Sequence, residues 1–119
     1  MKTIAIIGAG LLGRLIALSL TRQGYQVTLF DKDHKNAHQS AAYAAAGLLT
    51  PLGEAMHCEA NIVEMGFIAL KLWPELLASL SQHTFFQQTG SIVISHQQDS
   101  ANQQRFIRYL KNNYPQYKT

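Results

Sequence analysis

Three glycines constrain this chain more than any other feature. Ile4-Ala5-Ile6-Ile7-Gly8-Ala9-Gly10-Leu11-Leu12-Gly13 is an apolar run, then G-x-G-x-x-G, then an apolar helical pattern. That order is the sequence form of a strand, a tight turn and a helix that together hold a dinucleotide pyrophosphate. Gly8 permits the turn, Gly10 lets phosphate oxygens approach bare backbone, and Gly13 lets the helix lie against the strand. The helix N-terminus then offers unpaired N–H groups and a partial positive charge to the phosphates.

The flanking residues complete a βαβ start. Thr3–Ile7 reads as a buried strand, β-branched and apolar on both faces. Leu11–Arg22 reads as a helix with Gly13, Ala17 and Leu20 on one face, ended by Gly24 as a left-handed C-terminal residue. Tyr25–Phe30 is the second strand. Asp31 stands at its end, 18 residues after Gly13, close to the spacing at which an acid meets the adenosine ribose hydroxyls. Such an acid favours NAD over NADP, because it repels a 2′-phosphate.

Beyond Asp31 the chain is polar to Gln39. Ser40 to Pro51 is alanine-rich, and a short helix ending at Gly47 is expected there. An almost bare alanine surface suits close contact with an extended ligand. Glu54 to Leu80 carries helical periodicity through Val63, Phe67, Leu70 and Leu77, widened by Met65, Ile68 and Leu72, with Pro74 expected to break or kink it. Thr84–Gln88 and Ser91–Ser95 read as a β-hairpin around Thr89-Gly90. Ser100 and Gln103 have capping-box spacing, and a helix is expected to follow to about Asn112.

Composition excludes several classes. Lys and Arg are scattered over a net charge of +3, so no nucleic-acid patch is read. The single cysteine, Cys58, rules out an internal disulfide and fits a reducing, cytoplasmic setting. No apolar stretch is long enough for a membrane span. Of the five histidines, only His34 and His38 are four apart, and they fall in a loop, so no metal site is expected. A charged fraction of only 14% suggests that much of the surface is covered by a ligand, a partner or more chain.

Gly8-x-Gly10-x-x-Gly13-x-x-x-Ala17, Gly24-x-x-Val27 and Asp31 together resemble the opening of the FAD-dependent oxidoreductases. Ser40 to Pro51, with Ala45-Ala46-Gly47-Leu48-Leu49, resembles the second flavin-contacting segment of the D-amino-acid oxidase family, above all its glycine oxidase-like branch. Gln88-Thr89-Gly90-Ser91-Ile92-Val93 resembles the first hairpin of that family's substrate domain. The resemblance implies an α/β fold, a Rossmann-like βαβ FAD-binding domain of the glutathione-reductase type. Residues 1–83 would be the N-terminal part of the FAD-binding domain, and residues 84–119 the beginning of the substrate domain, with an antiparallel hairpin and a helix.

The same resemblance implies site roles. Gly8, Gly10 and Gly13, with the backbone of Leu11 and Leu12, would hold the pyrophosphate of FAD. Asp31 would take the ribose hydroxyls, where the family more often has Glu, and Lys32 would lie beside the adenosine. Ser40 or Ala41 would reach the pyrophosphate from its other side. Ala46, Gly47 and Leu48 would run near the isoalloxazine ring. No catalytic residue is nominated. The implied activity is oxidative deamination of a small amino acid or amine, with hydride transfer to flavin and release of peroxide.

Family members are several times longer, so a fragment or a truncated gene product is expected. Such a chain would need the rest of the oxidoreductase or an oligomeric partner. Two alternatives are the nucleotide-binding domain of an NAD-dependent dehydrogenase and a truncated nucleotide-binding module without activity.

Overall fold

The computed structural model describes residues 2–117. The chain divides between Leu48 and Leu49 into two compact units.

The first unit is built on β1 (Thr3–Ile7), α1 (Leu11–Arg22) and β2 (Gln26–Phe30). β-Branched residues at 3, 4, 6 and 7 favour extended backbone in β1. β1 and β2 pair in parallel, with Ile4 opposite Val27 and Ile6 opposite Leu29. The Gly8 N–H donates to the Phe30 carbonyl at 2.7 Å and carries the ladder one residue past the strand. Helix α1 is the crossover between the strands and packs on one face of the sheet. Its Ala17 is buried there. Gly24 ends the connection at φ +85°, where a side chain would be strained.

The strands are less buried than a parallel pair is expected to be. Ile7 is 91% exposed and Phe30 55% exposed, because only one face of this two-stranded sheet carries a helix.

After β2 the chain loops to α2 (Ala41–Ala44), a single turn. The Ser40 Oγ accepts the Tyr43 N–H at 3.3 Å and starts it. The expected helix to Gly47 stops early, because Ala45 returns to extended backbone. Gly47 then takes φ +75°.

The second unit centres on α3 (Ala60–Ala78) and α4 (Ser100–Asn113). Its core is Ala55, Val63, Leu110 and Tyr114, with Phe67, Phe106 and the half-buried Cys58 packed against it. Phe67 and Tyr117 stack with ring centroids 3.8 Å apart. A Cβ on Gly66 would lie 3.0 Å from Pro51 Cβ, so this mid-helix glycine marks a close approach. Val63 and Phe67 follow the expected apolar stripe, whereas Met65, Ile68 and Leu72 are exposed.

Pro74 does not break α3, which runs through it to Ala78; one lost N–H donor does not outweigh the bonds on either side. Two sequence expectations fail here. The antiparallel hairpin over 84–95 does not form. The only strands among the described residues are parallel, and 84–95 has no ladder bonds. Gly90 does turn the chain, at φ +96°. But Phe85, Ile92 and Ile94 are more than four-fifths exposed, and an isolated hairpin with no apolar face covered is marginal in water. The Ser100–Gln103 capping box is also absent. Asp99 precedes α4 without a side-chain cap. Gln103 instead donates to the Val93 carbonyl at 3.2 Å and accepts from Ser95 Oγ at 3.0 Å.

Candidate functional site

The glycine-rich turn, the start of α1 and the loop after β2 surround one open groove in the first unit, with a cavity volume of about 1110 Å³. Gly8, Gly10, Leu11, Leu12, Gly13, Asp31, Lys32, Ser40 and Ala41 all line it. Ala46, Gly47 and Leu48 lie in the exposed segment after α2 and do not line the groove.

The three glycines differ in their surroundings. A Cβ on Gly13 would collide with the Gly8 carbonyl oxygen and lie 3.1 Å from its carbon. Helix and turn therefore touch where only glycine fits. A Cβ on Gly10 would meet nothing within 4 Å, so its bareness serves the groove rather than the packing. Gly8 turns the chain off β1 at φ +100°. Gly10 begins α1 without a side-chain cap, and the first turn holds no acidic residue. The leading N–H groups of α1 are thus left for an anion, with the helix dipole behind them.

Asp31 faces the same turn. Its Oδ1 accepts the Asp33 N–H at 2.8 Å and its Oδ2 accepts the Ala9 N–H. These donors, Asp33 first and Ala9 second, hold the carboxyl below its ordinary range. Asp31 stays ionised, and lone pairs remain on both oxygens for hydroxyl donors. The loop beyond it is organised by Asp33, which accepts the His34 and Gln39 N–H groups, each at 2.7 Å. His38 stacks on Tyr43 with centroids 4.6 Å apart. A bare turn with open donors and a facing acid has the chemistry that the ADP half of FAD requires: anion donors for pyrophosphate and a carboxylate for vicinal hydroxyls. The residues present therefore fit the cofactor.

Sequence reasoning missed Arg14. Its Nε donates to the Ala9 carbonyl and its Nη2 to the Lys35 carbonyl, both at 2.6 Å. A signal was present: a cation in the first turn of a helix opposes the dipole and needs a reason. Lys35 and His34 also line the groove unforeseen. Among the described residues no group of three or more His, Cys, Asp or Glu is placed to hold a metal. None of the described helices is long and apolar enough to cross a membrane.

The chain matches the family model described as FAD dependent oxidoreductase over residues 3–118. It is 29% identical over 117 residues to the tRNA 5-methylaminomethyl-2-thiouridine biosynthesis bifunctional protein MnmC of Legionella pneumophila strain Lens, covering 92% of this chain and 16% of that protein. It is 43% identical over 49 residues to a D-amino-acid oxidase of Bradyrhizobium diazoefficiens, covering 41% of this chain and 12% of that protein. It is 36% identical over 83 residues to the bifunctional protein ThiO/ThiG of Trichormus variabilis, covering 70% and 12%. The chain thus spans less than a fifth of the length of these relatives. No solved structure matches it significantly.

Proposed function

Since the chain belongs to the FAD dependent oxidoreductases, we propose that its first unit grips the ADP half of FAD in an enzyme that oxidises an amine, foremost a small amino acid. The observation that carries this reading is the single groove in which the uncapped start of α1, the bare Gly10 and the ionised Asp31 converge. The N–H groups at the start of α1 bind the pyrophosphate, and Asp31 accepts from the ribose hydroxyls. Lys32 lies beside the adenosine, Ser40 or Ala41 reaches the pyrophosphate from the other side, and Ala46, Gly47 and Leu48 run toward the flavin ring. Residues 1–83 belong to the FAD-binding domain and residues 84–119 open the substrate domain. FAD, when bound there, would supply the redox chemistry, accepting the hydride from the carbon bearing the amine and passing both electrons to oxygen as peroxide, with water hydrolysing the imine. The family's cofactor is FAD, which removes the NAD alternative.

The D-amino-acid oxidase relative supports an amino acid as substrate. A second reading takes the amine on a tRNA-borne methylaminomethyl group. It is favoured by the relative named for that biosynthesis, whose match covers 92% of the chain.

The test uses the intact protein that carries this chain. A flavin absorption spectrum after purification, with peroxide released on glycine, sarcosine or D-alanine, is the expected result. Turnover of modified tRNA alone selects the second reading. Bound flavin with no peroxide from any amine refutes both.

A further inference from the structure

Arg14 is the basic residue of the first turn of α1, and both of its recorded contacts are backbone carbonyls rather than carboxylates. We propose that Arg14 is a positioning residue of the cofactor site, a guanidinium bridge that locks the pyrophosphate turn to the adenosine-side loop. The inference rests on the reading that this groove holds the ADP half of FAD.

Ala9 is pinned from both sides. Its N–H goes to Asp31 and its carbonyl goes to Arg14. The Ala9 carbonyl and the Gly10 N–H belong to one trans peptide, so they point in opposite directions. Holding that carbonyl fixes the direction of the Gly10 N–H, one of the donors at the mouth of the helix. The second arm reaches the Lys35 carbonyl in the loop that Asp31 and Asp33 otherwise order through the N–H groups of residues 33, 34 and 39. A closed circuit results: Ala9 to Arg14, Arg14 to the 32–39 loop, that loop through Asp31, and Asp31 back to Ala9. The planar fork of arginine can serve two carbonyls on different segments at once. A lysine ammonium keeps the charge but not the fork. This bridging offsets the unfavourable placement of a cation in the first turn.

The test compares the wild-type intact protein that carries this chain with its Arg14→Lys and Arg14→Gln variants. ADP binding is read by calorimetry, and trypsin cleavage after Lys35 is followed without ligand. Circular dichroism checks that both variants fold. The expected result is that both variants weaken ADP binding by about tenfold, the scale of one charge-assisted hydrogen bond, and both are cut faster after Lys35. Wild-type behaviour of Arg14→Lys in both readouts would overturn the bridge, because charge alone would then suffice. Unchanged binding and cleavage in Arg14→Gln would overturn it as well. If the wild-type intact protein does not bind ADP, the cofactor reading falls, while the cleavage rates still decide whether the clamp exists.

Discussion

Gly13→Ala and Gly10→Ala make a paired perturbation, because the structure assigns the two glycines opposite jobs. At Gly13 the added methyl meets the Gly8 carbonyl, with the carbonyl carbon at 3.1 Å and Ile6 Cγ2 at 3.6 Å. The obstacle is backbone, and it is tethered, since the Gly8 N–H is bonded to the Phe30 carbonyl at 2.7 Å. Relief requires α1 to move away from the turn. Overpacking of this kind costs about 1–3 kcal/mol, and a rigid obstacle belongs near the upper end. Alanine's better helix propensity returns about 1 kcal/mol. The net expectation is a loss of about 1–2 kcal/mol, which for a chain of this size lowers Tm by roughly 4–8 °C. At Gly10 the added methyl meets nothing and φ is −68°, so stability should stay within about 0.5 kcal/mol of wild type. On the proposed reading the methyl occupies the space through which phosphate approaches, so ADP or FAD binding should be lost. Thermal unfolding followed by circular dichroism, with a nucleotide titration, reads both effects. A Gly13→Ala chain as stable as wild type, or a Gly10→Ala chain that melts early, would refute the assignment.

Asp31 gives a pH signature. Its carboxyl is held below the ordinary value, so it stabilises the fold fully above the unfolded-state carboxylate range and progressively less as pH falls through the lowered folded value. Urea unfolding of wild type and Asp31→Asn should therefore differ at pH 7 and converge toward pH 3; a constant difference would contradict this. Ala37 sits at φ +54° without being glycine, and Ala37→Gly should raise stability by about 0.5–1 kcal/mol in chemical denaturation. Val63 is 1% exposed in the core of the second unit, so Val63→Ala should cost about 2 kcal/mol. Met65→Ser, at a position 55% exposed, should stay within about 0.5 kcal/mol of wild type by the same assay.

Much of the first unit was legible because its elements are set by local chemistry. β-Branched runs, glycine spacing and Gly24 place β1, α1 and the start of β2 to within a residue. Asp31 was legible as the acid at the end of β2, but its hydrogen bond to the Ala9 N–H was not, because it depends on the parallel pair that brings the ends of β1 and β2 side by side. The hairpin and the capping box failed for one cause: each depended on a partner that sequence spacing does not supply. Of the hairpin pattern at 84–95 only the positive φ of Gly90 is kept, because no apolar face is covered there. The capping box had the right residues, but Gln103 found the Val93 carbonyl instead. Pro74 looked like a breaker, but helical bonds on both sides carry α3 past it.

The sequence by itself determined the glycine-rich turn, its flanking strand and helix, and the acid that faces it. These follow from φ/ψ preferences and from spacing along one chain. Only the tertiary structure decided that Gly13 answers to packing and Gly10 to the groove, because that distinction depends on which atoms lie beyond each Cα. It alone joined Arg14 to a loop 21 residues away in sequence. A guanidinium bridging two carbonyls has no sequence signature: every residue carries a carbonyl, and only the fold determines which two come within its reach.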